Sequence, residues 1–314
     1  MGTVYTLSGK VDAADLGPVL PHEHLPLHYV AWDKEEFEPG SKYIVREWMG
    51  PVLDELEATP FRTLVEVSPI GHARDVAFRR ELLKGRKLNV VMCTGFYLDG
   101  HQPEWAKEKS ADELAEIFVR EIEEGIDGTD VLAGIIKLAP NPDSGQSRKV
   151  CRAAVAASNR TGASITTHTC SGNRKTFDML VEFGAAPEKI YIGHADFVEV
   201  EENEHICKAG GHVLYTVWDI NYMIPDRQNY KRFAELVRRG HVEQVLMSVD
   251  FAIMVHSPTH PTFLSWTLYG VEGRTYAYMA KKVMPRLRED FGLSDEELRI
   301  ITEDNPRRML DFRA

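Results

Sequence analysis

Short apolar runs rich in valine and isoleucine recur along the chain, and each precedes a longer segment in which apolar residues return every three or four positions. This alternation is typical of β-strands joined by helices in a parallel sheet. Eight such runs lie at 17–22, 63–68, 88–95, 131–138, 163–168, 189–194, 212–217 and 243–250. Because eight parallel strands close into a barrel, we predict an α/β fold of the (β/α)8 TIM barrel type.

The segments between the runs have the one-sided apolar pattern that the outer helices of a barrel require. In the segment 111–125, Leu114 and Phe118 fall on one face, and Ser110 with Glu113 forms the sequence pattern of a capping box. Similar helical patterns run through 146–160, 174–184, 199–209 and 228–239. The spacing between strands is therefore that of repeated βα units.

The final part of the chain has a less regular pattern. Residues 251–270 contain prolines and aromatic residues without periodicity, which predicts a long loop at the barrel mouth. The following GLSDEELRIITEDNPRRML predicts a Ser-capped helix, a break, and a short helix with Pro306 in its first turn. Since no linker or repeat interrupts the chain, we expect one domain spanning 1–314.

Composition and short motifs disfavour several classes of function for this chain. The 314 residues carry a net charge of -11, which disfavours nucleic acid and anionic membranes as partners. No apolar stretch is long enough for a membrane span, no signal peptide is evident, and no glycine-rich nucleotide-binding motif occurs. The four cysteines are widely spaced, as expected of free thiols in a reducing compartment. We therefore expect a cytoplasmic protein that acts on small molecules.

Polar residues end five of the predicted strands, and the active sites of such barrels lie at this end. They are His22 and His24 after the first strand, Lys137 in the fourth, His168 and His194 at the ends of the fifth and sixth, and Asp250 at the end of the eighth. Residues two apart share a face, so both histidines of HEH should point inward and Glu23 away. Four imidazoles and a carboxylate suit Zn, Mn, Co or Fe better than Ca or Mg. For any single histidine, the alternative is a hydrogen-bonded core residue.

Lys137 does not fit a metal site in its ordinary form. A buried ammonium group is unfavourable and repels bound cations. Reaction of the amine with carbon dioxide would remove both objections, because the resulting carbamate is an anionic oxygen ligand that can bridge two metal ions. The alternative is a lysine that pairs with Asp250 or Glu66.

The motifs PHEHL, AGIIKLA, THT, IGHAD, SVD and TEDNPRR, taken in order, resemble the phosphotriesterase family, in particular its phosphotriesterase-like lactonase branch, within the amidohydrolase superfamily. The resemblance covers essentially the whole chain. It implies a (β/α)8 barrel with a binuclear metal centre. It also implies hydrolysis of lactones, organophosphate triesters, phosphorylated sugar lactones or amides, and a homodimer.

The resemblance also implies a role for each strand-end residue. The ligands would be His22, His24 and Asp250 for the more buried of two divalent ions, with zinc as the expected metal, and His168 and His194 for the more exposed one. Lys137, as N6-carboxylysine, and a hydroxide would bridge the ions. Asp250 would accept the proton of the attacking hydroxide. Tyr97 in TGFY matches a lactonase tyrosine that leans over this hydroxide, and a core aromatic is the alternative.

The sequence departs from the family pattern at two places that bear on substrate. Val249 stands where many relatives have a histidine before the aspartate, and the loop YTVWDINYMIPDR differs from that of acyl-homoserine lactonases, with Trp218, Asn221 and Tyr222 in its place. Cationic side chains that would favour a phosphorylated sugar lactone are Arg227, Arg274 and His256. Side chains that would favour an apolar acyl or aryl group are Phe263, Trp266 and Tyr269.

We therefore predict a metal-dependent hydrolase of lactones or esters with an apolar portion, with organophosphate triesters as promiscuous substrates. A phosphorylated sugar lactone hydrolase is one alternative. A mononuclear amidase or deaminase of the same superfamily is another, and metal stoichiometry distinguishes it. A non-catalytic metal-binding barrel is the third.

Overall fold

The computed structural model describes residues 2–28, 35–255, 263–264 and 273–312, and its centre is a sheet of eight parallel strands. In chain order the strands are β1 (Thr3–Thr6), β2 (Gly9–Asp12), β3 (Val19–Glu23), β4 (Leu27–His28), β5 (Thr63–Glu66), β6 (Asn89–Phe96), β7 (Ala133–Leu138), β8 (Ile165–Thr167), β9 (Ile190–Gly193), β10 (His212–Tyr215), β11 (Val245–Met247), β12 (Met254–Val255) and β13 (Phe263–Leu264). Strands β3 and β5 to β11 pair in parallel in the order in which they occur along the chain. The predicted (β/α)8 TIM barrel is confirmed.

The first and last barrel strands are joined through a buried side chain. The carboxylate of Glu23 accepts hydrogen bonds from the Ser248 hydroxyl and the Val249 backbone N–H, both at 2.6 Å. Its other oxygen accepts from the Phe251 N–H at 2.8 Å. Beside it, the His24 N–H donates to the Phe251 carbonyl oxygen at 3.1 Å. Glu23 thus closes the barrel immediately beside the two histidines that flank it in the chain.

Alternation along the strands separates two apolar layers. The barrel interior is filled by the side chains of Val19, Val65, Val91, Ile135, Tyr191, Leu214 and Leu246. Intervening residues such as Leu64 face the outer helices. The hairpin β1–β2 and the C-terminal helix cover the amino-terminal end, where the Leu7 N–H donates to the Val90 carbonyl and the Ser164 hydroxyl to the Met309 carbonyl, each at 2.8 Å.

The helices surround the barrel. They are α1 (Pro39–Glu57), α2 (Val76–Leu82), α3 (Glu104–Glu108), α4 (Ala111–Glu123), α5 (Gly145–Thr161), α6 (Asn173–Glu182), α7 (Val200–Lys208), α8 (Gln228–Arg238), α9 (Met284–Glu289), α10 (Asp295–Arg299) and α11 (Asn305–Leu310). The five helices predicted between 111 and 239 are α4 to α8. The capping box of Ser110 and Glu113 is present at the start of α4. None of the described helices is long and apolar enough to cross a membrane.

The predicted break in the C-terminal tail is wrong. A π-helical turn at Ile300–Asp304 joins α10 to α11 without interruption, and the residues at both junctions have right-handed helical backbone angles. Pro306 is the second residue of α11, and proline lacks the N–H that an α-helix would bond. The wider turn therefore accommodates the proline where a break was expected. The predicted capping of the first tail helix by Ser294 is confirmed, with Glu297 completing the box.

Most of the predicted loop 251–270 lies outside the described residues. The parts described include two short strands, since β12 pairs in parallel with β4 and antiparallel with β13. Leu27 N–H also donates to the Ile253 carbonyl at 3.1 Å. The segment after the eighth barrel strand is thus tied to the segment after the first, over the mouth side of the HEH motif.

Candidate metal centre

Three ligand atoms from different strands meet at the carboxyl end of the barrel. One ligand atom each of His22, His194 and Asp250 lies within 4.8 Å of the other two. The Nε2 atoms of His22 and His24 lie 3.8 and 3.3 Å from Oδ1 of Asp250. The Nε2 atom of His194 lies 3.9 Å from Oδ2 of the same carboxylate. Asp250 therefore faces three imidazoles at once.

The two other strand-end residues extend this cluster. Nδ1 of His168 lies 2.7 Å from Nε2 of His194, and Nζ of Lys137 lies 2.8 Å from Nε2 of His22. The structure therefore brings together all six residues that the sequence singled out as metal ligands. Tyr97 joins them, with its hydroxyl 3.2 Å from Nε2 of His168.

Backbone conformation places two of these side chains. His194 and Asp250 have φ angles of 56° and 55°, in the left-handed region that non-glycine residues rarely adopt. His194 directly follows β9, and Asp250 lies three residues after the end of β11. Such conformations persist where the surrounding structure enforces them, and they concentrate at functional sites.

Hydroxyl groups contact the Nδ1 atoms of two of the histidine rings. The Ser68 hydroxyl lies 2.8 Å from Nδ1 of His24, and the Thr216 hydroxyl lies 2.6 Å from Nδ1 of His194. These contacts leave Nε2 of each ring facing Asp250, and partners of this kind fix ring orientation at metal sites. Sequence reasoning did not single out Ser68 or Thr216. Both lie just after the carboxyl ends of barrel strands, so their positions in the sequence could have identified them as candidate site residues.

Burial keeps the imidazoles of His22, His168 and His194 neutral. Loss of hydration lowers the pKa of His22 and His168 well below its usual value and that of His194 to about 4, and the neighbouring Lys137 lowers each further. Burial opposes the charged form of Asp250, yet the hydrogen bond from His24 and the nearby imidazoles hold the pKa of its carboxyl well below the usual range. Neutral imidazoles and an ionised carboxylate are the forms that bind metal ions.

Lys137 is fully buried and has no carboxylate oxygen within 4.0 Å among the described residues. The alternative pairing with Glu66 is not formed, because Glu66 lies 3.3 Å from the Arg79 guanidinium. Burial lowers the pKa of the Lys137 amine to about 8, against the opposing effect of Asp250. A buried amine beside an imidazole thus forms no ion pair with a carboxylate of the described residues.

The donor set fits divalent metal ions of the zinc type, which prefer imidazole nitrogen and carboxylate oxygen. The arrangement of the histidine rings supports this fit. Nδ1 of His168 and Nε2 of His194, two nitrogens of neutral rings, converge at 2.7 Å, and both offer ligand atoms at one point. A third buried nitrogen, Nε2 of His22, lies 3.8 Å from Oδ1 of Asp250. His22, His24 and Asp250 can hold one ion, and His168 and His194 a second.

The structure removes some of the predicted substrate contacts. Arg274 is buried, and its guanidinium donates to the carbonyl oxygens of Thr216 and Val249, so it is not available to a phosphorylated substrate. Arg227 is at the surface, where it pairs with Asp290 at 2.9 Å. The other predicted contacts His256, Trp266 and Tyr269 lie outside the described residues, and the side chain of Phe263 is not described.

The seventh-strand loop contributes less to the mouth than its sequence suggested. Trp218 is a core residue whose indole N–H donates to the Ser248 carbonyl at 2.8 Å. Tyr222 and Met223 are exposed. A cavity of about 410 Å³ opens beside the candidate metal centre and is lined in part by Leu98, His168 and Cys170. The Cys170 thiol lies 3.4 Å from Nε2 of His168.

A TIM barrel with buried histidines, a lysine and an aspartate converging at the carboxyl ends of its strands defines a hydrolase of the amidohydrolase type. The chain belongs to the phosphotriesterase family, whose model matches residues 2–310. Its membership confirms the resemblance that the strand-end motifs indicated.

Individual relatives agree with this assignment. The chain is 29% identical to a phosphotriesterase homology protein of Mycobacterium tuberculosis, over 99% of this chain and 98% of that protein. It is 26% identical to an aryldialkylphosphatase of Saccharolobus solfataricus, over 96% of this chain and 98% of that protein. A mutant of a phosphotriesterase-like lactonase from Deinococcus radiodurans has a solved structure that matches with a TM-score of 0.88 and 26% identity, covering 98% of this chain and 100% of that one.

Proposed function

We propose that this chain is a binuclear-metal hydrolase that opens lactones or cleaves carboxylic esters, with organophosphate triesters as promiscuous substrates. The observation that carries the proposal is the convergence of the six strand-end residues on Asp250 and on the His168–His194 pair. The names of the relatives, an aryldialkylphosphatase and a lactonase, support the substrate classes. Two divalent ions bound there would supply hydroxide at neutral pH and polarise the carbonyl or phosphoryl oxygen.

The chain's own residues would manage the proton. When water adds to the substrate carbonyl, a proton must leave the attacking oxygen and the alkoxide leaving group must gain one. Asp250 is the ionised carboxylate at the centre, so we assign it as the proton acceptor. Val249 is fully buried in the apolar core, so the proton would pass from Asp250 to the leaving group or to solvent.

Lys137 would act as N6-carboxylysine. Its amine is buried without a carboxylate partner, and the lowered pKa leaves a fraction of it neutral and nucleophilic. Addition of the neutral amine to carbon dioxide forms a C–N bond and releases one proton, which converts the residue into an anionic oxygen ligand. That anion would offset the charge of two cations next to His22.

Tyr97 would orient His168. Its hydroxyl lies on Nε2 of this ring, opposite the Nδ1 atom that meets His194. This position supports a role at the site and disfavours the alternative of a core aromatic, because the side chain is only partly buried. In the proposed reaction, Tyr97 keeps Nδ1 of His168 directed to the second ion.

The test is metal content per chain on protein purified without chelator, with rates on aliphatic lactones, sugar lactones and aryl phosphotriesters. About two metal ions per chain and lactone turnover that disappears on chelation are expected. Intact mass should show one added carboxyl group on Lys137 that is lost in Lys137→Ala. One ion per chain would favour the mononuclear amidase. Bound metal with no turnover on any substrate would favour a non-catalytic barrel.

A further inference from the structure

The barrel closes next to the candidate metal centre. Among the described strands, β3 and β11 stand at the two ends of the strand order and are not paired with each other by a backbone ladder. Instead, the His22 N–H donates to the Ser248 hydroxyl at 3.0 Å. The His24 N–H donates to the Phe251 carbonyl oxygen at 3.1 Å. Two proposed metal ligands are therefore held by the segment 248–251, which carries a third, Asp250.

Glu23, between the two histidines, is bonded to this same segment. One carboxylate oxygen accepts from the Ser248 hydroxyl and the Val249 N–H, both at 2.6 Å. The other oxygen accepts from the Phe251 N–H at 2.8 Å. A carboxylate is unfavourable to bury unless its oxygens are bonded, and Glu23 is buried. Its burial is therefore compensated by donors of one four-residue segment.

These donors lie on both sides of Asp250. Val249 and Phe251 are its neighbours in the chain, and Asp250 itself has a φ angle of 55°. This left-handed conformation is unfavourable for a residue with a Cβ atom. A left-handed residue in a turn lets the N–H groups around it converge into a concavity that binds an anion. The carboxylate of Glu23 is the anion in this concavity, so it stabilises the conformation that Asp250 needs.

An irregularity in β3 directs Glu23 to this position. Val19 belongs to the inner apolar layer of the barrel and Leu20 to the outer one. Strict alternation from Val19 would turn His22 outward and Glu23 inward. However, the pairing of β3 with β5 shifts register between Leu20 and Glu23, and such a shift reverses the faces. The ring of His22 thereby comes to lie 3.8 Å from Asp250.

We propose that Glu23 is a positioning residue of the metal centre. By accepting the N–H groups on both sides of Asp250, it holds Oδ1 of that carboxylate toward the Nε2 atoms of His22 and His24. Its own oxygens are occupied by their three donors, so it acts through Asp250 and not as a ligand. The inference rests on the proposed binuclear site. It requires that loss of Glu23 weaken the ion of His22, His24 and Asp250 more than the second ion.

The test variant is Glu23→Gln, which keeps the shape of the side chain but turns an NH2 group toward a backbone donor. Metal-free protein is titrated with Co²⁺ in competition with a chelator, which gives two binding constants. One constant should fall by about 10- to 100-fold, the usual effect of removing a group that orients a ligand, and the other should stay within about threefold. The absorption spectrum of the ion that remains should match that of His24→Ala, which lacks a ligand to the same ion.

The matched control is Glu121→Gln. Glu121 is also buried, but it lies on α4 and pairs with Arg74 at 2.6 Å, so both binding constants should stay within about threefold. A second measurement needs no variant. In metal-free wild type, the N–H groups of Val249 and Phe251 should exchange with solvent as slowly as those of β11, because both are bonded to Glu23 before any ion binds.

The outcomes separate the two proposals. Unchanged binding constants in Glu23→Gln, an equal loss of both ions, or the same loss in Glu121→Gln would overturn the role of Glu23 and leave the hydrolase intact. Fast exchange at Val249 and Phe251 would overturn it whether or not Glu23→Gln folds. A wild type that binds two ions but turns over no lactone, ester or phosphotriester would overturn the hydrolase alone. A wild type that binds no metal ion would overturn both.

Discussion

The two ends of the barrel use the same eight strands in opposite ways. At the amino-terminal end the interior is filled by apolar side chains such as Leu214 and Leu246, covered by the hairpin β1–β2 and α11. At the carboxyl end the strands give way to His194 and Asp250 in left-handed backbone conformations, and Lys137 is buried without a carboxylate partner. One end gains free energy by packing, whereas the other holds groups whose burial is unfavourable.

This contrast indicates that stability and chemistry are physically separable in this protein. Strained backbone and buried ionisable groups are retained only where something other than packing requires them. The connection between the ends is the strand itself, with Glu23 closing the barrel beside the histidines. Substitutions at the two ends should therefore change different measurements.

The largest effect is expected at the mouth. Asp250→Asn and Lys137→Ala should each reduce kcat/KM by at least about a hundredfold, because they remove the proposed proton acceptor and the proposed bridging ligand. Folded stability without metal should change little or rise in Lys137→Ala, which removes an unfavourably buried amine, and should fall in Asp250→Asn, because the imidazoles around Asp250 stabilise its ionised carboxylate. Rates on the best lactone and thermal unfolding of metal-free protein measure the two quantities. Asp178→Asn, an exposed carboxylate, is the control, and near-wild-type rates in both site variants would contradict the mechanism.

The opposite result is expected at the packed end. Leu214→Ala should lower the free energy of unfolding by about 2–5 kcal/mol, the range for large-to-small core substitutions. The value of kcat/KM per folded molecule should remain within about twofold, because Leu214 belongs to the inner apolar layer, which contains none of the proposed metal ligands. Denaturant unfolding measures the free energy of unfolding, and active-site titration gives the value of kcat/KM per folded molecule. A large fall in turnover of fully folded Leu214→Ala would show that the ends are coupled.

A smaller effect, on metal affinity, is expected from a substitution that removes one hydrogen bond to a proposed ligand ring at the barrel mouth. Thr216→Val removes the hydroxyl that contacts Nδ1 of His194, so metal affinity should fall by about tenfold with little change in stability. Thr176→Val is the matched control, because the buried Thr176 hydroxyl has no hydrogen-bond partner in the described part of the chain. Competition with a chelator measures affinity. Equal affinity in the two variants would mean that Thr216 does not orient the ring.

The same contrast explains what the sequence could predict. The packed end follows from alternation of apolar residues, so all eight strands and the helices α4 to α8 were found. The six proposed ligands were found because polar residues at strand ends interrupt that pattern. Helix α1 was missed although Val45, Met49 and Leu53 repeat at helical spacing, and Pro51 within it weakens that signal. The homodimer and the cytoplasmic location stay predictions.

Contacts between distant loops were not predictable in this way. Ser68 and Thr216 lie at strand ends that mark the site, but their hydrogen bonds to His24 and His194 join separate elements, and no local pattern encodes such pairings. Arg274 was assigned to substrate from its charge alone. In the structure its guanidinium bonds to backbone carbonyls, which satisfies a buried cation and removes it from the mouth.

The smallest effect concerns a charge cluster on the outside of the barrel. The buried guanidinium of Arg74 contacts the carboxylates of Glu121 and Asp127 at 2.6 and 2.7 Å, with Glu35 at 3.7 Å. Burial raises the pKa of Asp127 to about 6, and although Arg74 lowers it, Glu121 and Glu35 raise it. Three carboxylates thus share one cation, so Asp127 binds a proton more readily in the folded state than in the unfolded chain.

A raised pKa in the folded state gives stability that is fully present below the unfolded value, near 4, and is lost as the pH rises through about 6. Asp127→Asn fixes the neutral form, so the difference in Tm should move in favour of the variant as the pH rises from about 4.5 to about 7. Asp130→Asn, which alters an exposed partner of Arg80, is the control. A pH-independent difference between wild type and Asp127→Asn would mean that Asp127 is already ionised throughout this window. Arg74 would then satisfy all three carboxylates, and this cluster would be a packing element like the amino-terminal end rather than a strained one like the mouth.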